Sequence, residues 1–334
     1  MSATQKRFSV NYSQSLTHPK TGITLMNRRE FIGTTLAGSA AFTLQAKPPV
    51  AAGTPQIYVF SKMFQWIEGY DQLAETIAGL GFNGIDLTVR PGGHVLPERV
   101  EEDLPKAVAA FKKHNLVAPL MVTTILDADA QSERILKTAQ SLGIKHYRMG
   151  WYPYNMKQDI AGQSAAFGQR MKAVAALNEK YGMVGHYQNH SGNYHGAPIW
   201  DVYEQLQTIK SNAIGCQYDI NHATAEAGGS WETGFRLIAP HVKSIAIKDF
   251  FWTKKNDKWG KQGCPLGEGV VNWSKYLELL KQYNIQLPIT MHYEYPLGGA
   301  ENGAKKLSIS SQELLTAMKK DLTLFKQWWT EAKL

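Results

Sequence analysis

From residue 53 onward, short runs with a period of two alternate with longer runs with a period near 3.6. Residues 57–60 open the series with four apolar positions and read as a strand. Residues 70–80 carry Leu73, Ile77 and Leu80 at helical spacing and stop at Gly81. Residues 83–90 form the next strand, with Ile85, Leu87 and Val89 on one face and Asp86, Thr88 and Arg90 on the other. The same alternation predicts strands over 116–124, 145–150, 183–190, 214–223, 242–250 and 288–295. It predicts helices over 98–114, 132–142, 164–181, 198–210, 231–239, 274–283 and 311–329. Eight strands alternating with eight helices, with no break in composition, point to parallel strands joined by helical crossovers. Over about 280 residues this spacing fits a closed (β/α)8 barrel of the α/β class, the TIM barrel, better than an open sheet.

The strands are two-faced. His146 and Arg148 are predicted inward, against Tyr147 and Met149 outward. His186, Gln188 and His190 share a face, as do Gln217, Asp219 and Asn221. Ser244, Ala246 and Lys248 oppose Ile245 and Ile247; Thr290, His292 and Glu294 oppose Ile289, Met291 and Tyr293. Apolar faces suit the helical layer. Inward charges cost several kcal/mol each unless they are paired or bind a ligand. Asp86, Arg148, Asp219, Lys248, His292 and Glu294 are therefore expected on one rim, where barrels of this kind build their sites. Trp151, Tyr152 and Tyr154 follow the fourth strand and offer aromatic faces to a sugar ring, or simply pack.

Composition changes this picture only at the N-terminus. The chain has 334 residues, 43% hydrophobic and 19% charged, with a formal charge of +8. Half of that excess lies within residues 1–46, so the rest carries a modest balance that gives no reason to expect a nucleic-acid partner. Asn27-Arg28-Arg29-Glu30-Phe31-Ile32 precedes a weakly apolar run to Leu44 and then Gln45-Ala46. Paired arginines, a short apolar region and small residues describe a twin-arginine export signal. Cleavage is expected after Ala46 or Ala52, and Met26 is a second candidate start, with residues 1–25 a disordered leader. The division expected is a leader plus signal over 1–52 and a barrel over 53–334. No run is apolar enough for stable membrane insertion after export. Cys216 and Cys264 are the two cysteines; Cys216 faces the helices and reads as a buried thiol. No Gly-rich phosphate fingerprint follows the first strand, which argues against a nucleotide cofactor.

Five short motifs resemble the sugar isomerase/epimerase superfamily with xylose isomerase-like barrels. They are Gly81-Phe82-Asn83-Gly84-Ile85-Asp86-Leu87, Asp219-Ile220-Asn221-His222-Ala223, Ile247-Lys248-Asp249, Pro265-Leu266-Gly267-Glu268-Gly269 and His292-Tyr293-Glu294. Their order and spacing carry the resemblance. It implies a divalent metal (Mn, Mg, Co or Zn) held by strand-end carboxylates and a histidine. This chain keeps Asp219 but has Gln188, Ala246 and His292 at the other ligand positions. The remaining metal candidates are Asp219, His292, Glu294 and Gln188, with loss of metal as the alternative.

The reading is an exported isomerase or epimerase of a sugar or keto-sugar that works by proton transfer next to a carbonyl through an enediolate. Lys248, Asp219, Glu294 and His292 are the catalytic candidates. Arg148, Gln188, His190, His222, Asp86 and Trp151 are the substrate-binding candidates. A lyase or hydratase of a keto-sugar or keto-glycoside shares that intermediate. Abasic-site endonucleases share the superfamily but need more His and Glu ligands than this chain places. A sugar-binding barrel without metal is the non-enzyme alternative. The partner expected is a small carbohydrate, and the reading leaves room for a homo-oligomer.

Overall fold

The computed structural model describes residues 55–334, so the leader and the twin-arginine segment lie outside the described residues. Eight parallel strands close into a barrel: β1 Ile57–Phe60, β2 Gly84–Thr88, β3 Val117–Val122, β4 His146–Arg148, β5 Val184–Gln188, β6 Ile214–Asp219, β7 Val242–Ile247 and β10 Ile289–Met291. Each strand pairs with its neighbours in sequence order, and β10 returns to β1 through Ile57 opposite Ile289. Between β7 and β10 a hairpin stands outside the barrel, β8 Asp249–Lys255 and β9 Lys258–Cys264. The (β/α)8 expectation therefore holds, with this hairpin as an addition.

Helices cover the outside: α1 Tyr70–Leu80, α2 Val100–Lys113, α3 Ala130–Ser141, α4 Ile160–Tyr181, α5 Ile199–Ile209, α6 Ile220–Ala227, α7 Trp231–Ile238, α8 Trp273–Gln282 and α9 Ser311–Ala332. The apolar strand faces pack under them. Ile85, Leu87, Tyr147, Ile245 and Ile247 are fully buried there, and non-directional apolar burial is what holds the two layers together. Local chemistry sets the helix ends. Gly81 closes α1 in the left-handed region at φ 90°, and Ser310 with Glu313 forms a capping box on α9. Both cysteines are free and buried.

After β1 the barrel strands end earlier than the sequence reading, β5 at Gln188 so that His190 lies beyond it, and at three of them the local reason is plain. The predicted strand 214–223 stops at Asp219, because the Asp219 carboxylate accepts from the His222 backbone N–H and caps α6. Asn221 and His222 thus lie on the first turn of a helix, not on the strand. The predicted strand 242–250 divides at Lys248, with β7 before it and β8 after it. The lysine-rich segment 254–261 lies in the hairpin, across its tip. Asn256 and Asp257, both at positive φ, form its two-residue turn. The predicted strand 288–295 ends at Met291. Glu294 lies beyond it, where the hairpin comes so close that a Cβ on Gly263 would overlap the Glu294 carbonyl oxygen.

Candidate active site at the barrel rim

Lys248 emerges at the end of β7 and is 2% exposed. Its ammonium sits where three other elements converge. Nζ lies 2.8 Å from His222 Nε2 on α6, 2.9 Å from Glu294 Oε2 after β10 and 3.2 Å from Asp219 Oδ2 at the end of β6. Burial pushes the Lys248 pKa down, but Asp219 and Glu294 outweigh it and leave it above the ordinary lysine value. Lys248 is therefore a fixed cation at neutral pH.

Its partners are held in turn. Asp219 is fully buried. Its Oδ2 also accepts from Gln188 Nε2 at 2.7 Å, and its backbone exchanges two hydrogen bonds with the Asn189 side chain. Burial raises its pKa, with Lys248 opposing the rise. Gln188 Oε1 accepts from Arg148 at 3.0 Å. The amide is thus oriented from both ends, since a guanidinium only donates and a carboxylate only accepts. Glu294 keeps a third of its side chain exposed. Burial alone would raise its pKa, yet Lys248, Lys62 and His292 together hold the carboxyl well below the usual range. His222 is neutral, since burial and then Lys248 and Lys261 depress it strongly.

A second lysine enters from the hairpin. Lys261 Nζ lies 2.8 Å from Asn221 Oδ1 and 3.0 Å from His222 Nδ1, so the His222 ring is held between two amines. Burial, then Lys248, pulls the Lys261 ammonium down to about 8. Lys261 and Glu294 both line a cleft of about 580 Å³ between the hairpin and the segment after β10, a volume suited to a small ligand.

The other candidates sit around this core. Trp151 and His190 pack with ring centroids 4.3 Å apart and planes tilted by 47°, and His190 packs on His222 at 4.1 Å with a tilt of 41°. Burial, then Lys248, brings His190 down to about 4. Arg148 lies over Trp151, 4.6 Å from its ring centroid. Asp86 is fully buried, with Oδ2 accepting from Thr290 at 3.0 Å; burial raises its pKa to about 6. His292 packs against Phe60 with ring centroids 4.6 Å apart and planes tilted by 32°, and its Nε2 has no partner among the described residues. Tyr152 is packing: it is fully buried and stacks on Phe167 and Tyr187.

The proposed ligand set does not form a metal site. Among the described residues no three His, Cys, Asp or Glu side chains converge to hold an ion. The Gln188 carbonyl is engaged by Arg148, and the Asp219 carboxylate by Gln188, Lys248 and the His222 amide. Ala246 offers no donor, and His292 shares no hydrogen bond with the other three among the described residues. A cation is already present between Asp219 and Glu294, and it is the Lys248 ammonium. The donor chemistry thus does not suit a divalent ion.

Sequence reasoning missed Lys62, Lys261 and Phe60, and it left Arg90 as an inward residue without a role. Lys62 and Lys261 lie outside the barrel strands, so barrel alternation could not place them. The turn pair Asn256-Asp257 was the signal for the hairpin that delivers Lys261.

A family model described as the xylose isomerase-like TIM barrel matches residues 74–316. Among solved structures, a xylose isomerase-like TIM barrel protein from Mycobacterium smegmatis in complex with magnesium aligns with TM-score 0.64 at 14% identity, over 85% of this chain and 100% of that one. The 3-keto-D-glucoside 4-epimerase of E. coli aligns with TM-score 0.60 at 12% identity, over 80% and 99%. The D-psicose 3-epimerase of Clostridium cellulolyticum H10, solved with D-tagatose, aligns with TM-score 0.61 at 13% identity, over 82% and 98%. At these identities the likeness is one of fold. No curated protein matches the sequence.

Proposed function

The chain belongs to the xylose isomerase-like TIM barrel family, and from that premise we propose that it is an isomerase- or epimerase-type enzyme of a sugar or keto-sugar. The observation that carries this reading is the buried Lys248 ammonium at the junction of Asp219, Glu294 and His222. Proton removal next to a carbonyl builds negative charge on the carbonyl oxygen. A fixed cation in a dry site stabilises that charge strongly. Lys248 supplies the cation when a substrate oxygen takes the place of one of the three groups that engage its N–H donors, and the remaining partners keep it charged.

The proton carrier we assign is Lys261. A carboxylate held as low as Glu294 is a poor proton acceptor, whereas an amine near 8 exchanges its proton at working pH. In its free-base form Lys261 takes the proton from the carbon. The electron pair moves through the carbonyl to oxygen, opposite Lys248. For isomerisation Lys261 returns the proton to the adjacent carbon on the same face while the hydroxyl proton passes between the two oxygens, whereas epimerisation needs a second group to deliver a proton to the opposite face. Glu294, which lines the cleft, and His190, which packs on His222 beside it, hold hydroxyls. Trp151 offers the ring a stacking face, and the structures of D-psicose 3-epimerase with a bound sugar support carbohydrate as the ligand class.

The test is deuterium exchange. Neutral sugars and their 3-keto derivatives are incubated with the protein in D2O and followed by NMR. The expected result is incorporation at a carbon adjacent to a carbonyl in at least one of them. Saturable binding with no exchange in any would leave a sugar-binding barrel instead. We also propose export by the twin-arginine route, on Arg28 and Arg29. Replacing both by Lys should abolish accumulation outside the inner membrane, and unchanged accumulation would contradict it.

A further inference from the structure

Three cations gather round one aromatic ring at the mouth of the barrel. Arg148 Cζ lies 5.3 Å from the Phe60 centroid, Arg90 Cζ 5.4 Å and Lys62 Nζ 5.5 Å. Lys62 reaches Glu294 Oε1 at 3.8 Å, a carboxylate that Lys248 already holds more closely. Among the described residues neither arginine has a carboxylate within ion-pair distance. Arg148 is only 3% exposed, donates to the neutral Gln188, and leaves its Nε–H with no partner. Arg90 is half-buried.

The arrangement is costly as it stands. A buried guanidinium without a counter-ion is expensive, and like charges around one ring raise the cost further. Ring faces offset only part of it. Asp86 is the acid that acts most on both arginines, but Thr290 holds one of its oxygens and the other has no partner among the described residues. The charges tell the same story. Burial and then Arg90 bring Arg148 down to about 10, despite the pull of Asp86, Glu294 and Asp219. Burial takes Lys62 to about 8.

We infer that this ring of cations is an anion subsite, and that the sugar turned over here carries a carboxylate or a phosphate that seats against Arg90 and Arg148. This rests on the reading of the rim as the sugar site. The planar fork of arginine matches both oxyanions in a two-bonded geometry, whereas a lysine offers only a point charge. An acidic group there would pair with the half-buried Arg90 and offset the charge of the Arg148 guanidinium buried beside it. It would also orient the rest of the sugar toward Lys248 and the Lys261 cleft.

The test is calorimetric titration of the protein with D-glucuronate, D-gluconate, D-glucose 6-phosphate and D-glucose at low salt. At least one acidic ligand should bind about tenfold or more tighter than D-glucose, on the scale of one charge-assisted hydrogen bond. The preference should fall with added salt, vanish in Arg90→Met and survive in weakened form in Arg90→Lys. Which acidic ligands bind distinguishes carboxylate from phosphate. Arg148→Met is the second arm; should that variant fail to fold, half-buried Arg90 carries the test alone. Equal binding of D-glucose, no binding by any of the four, or a preference that persists in Arg90→Met would overturn the inference. Exchange on a neutral sugar without acidic preference would overturn the subsite and leave the enzyme reading intact. Acidic preference without exchange on any ligand would do the reverse.

Discussion

The barrel interior has two polar layers, and they are built on opposite principles. In the lower layer His146 Nδ1 meets His186 Nε2 at 3.0 Å, His186 Nδ1 meets Ser244 Oγ at 2.8 Å, and Gln217 donates to the same Ser244 at 3.2 Å. These groups are uncharged, and His186 has both ring nitrogens partnered. Burial, then His146, drives its pKa far down, so it stays neutral. Two residues further along the same strands, Arg148, Gln188 and Asp219 belong to the rim, where Lys248, Glu294 and Asp86 join them. There charges are buried, the Arg148 Nε–H and one Asp86 oxygen lack partners, and cations gather. The lower layer is uncharged, with Gln217 Oε1 its one atom lacking a partner among the described residues, and it holds strands together. The rim keeps unspent charge for something that is not part of the chain.

The largest expected break comes from Lys248→Met. It removes the fixed cation, so turnover should drop about a thousandfold, the upper scale for losing one electrostatic donor; exchange rates in D2O measure it. Lys261→Met should cost about a hundredfold or more. In the native protein activity should rise with pH through about 8, as the Lys261 ammonium gives up its proton. That inflection should disappear in the variant, and a pH–rate profile checks both statements.

Two smaller effects carry opposite signs, one from each layer. Asp86 has its folded pKa raised from the ordinary aspartate value to about 6. Its charge is thus penalised: the stability it contributes is present below the ordinary value and is lost as pH rises through about 6. Asp86→Asn keeps the Thr290 hydrogen bond and should therefore raise stability by roughly 2 kcal/mol at pH 8. It should change little at pH 3.5, and denaturant melts at both values show the difference. His186→Leu, in the lower layer, should instead lose about 1–2 kcal/mol at all pH values, because Ser244 and His146 lose a buried partner. Its activity well below the melting temperature should be unchanged. A gain of stability in His186→Leu would erase the distinction between the layers.

Much of the architecture was legible because period carries fold. Alternation at Ile85, Asp86 and Leu87, or at Ser244, Ile245 and Ala246, fixes which side of a strand faces the axis. It cannot fix height along the axis, so His186 and Gln188 look alike in sequence although one is structural and the other touches Asp219. Strand ends were illegible for a related reason. Asp219 ends β6 by capping α6, and Lys248 ends β7 where the hairpin begins, each through contacts with a neighbouring element. Lys62 and Lys261 lie outside the barrel pattern altogether. The resemblance to a metal-dependent pattern placed Asp219 and Glu294 among the ligands of a metal; in the structure both lie beside the Lys248 ammonium.

That substitution of an ammonium for a metal is the claim most open to direct measurement. The purified protein is extracted with EDTA, its metal content is determined, and deuterium exchange into an active sugar is compared before and after. The account predicts far less than one divalent ion per chain and an exchange rate that EDTA leaves unchanged, while Lys248→Met abolishes it. One tightly held equivalent of metal, with exchange that stops on extraction and returns on adding Mn2+, would contradict it.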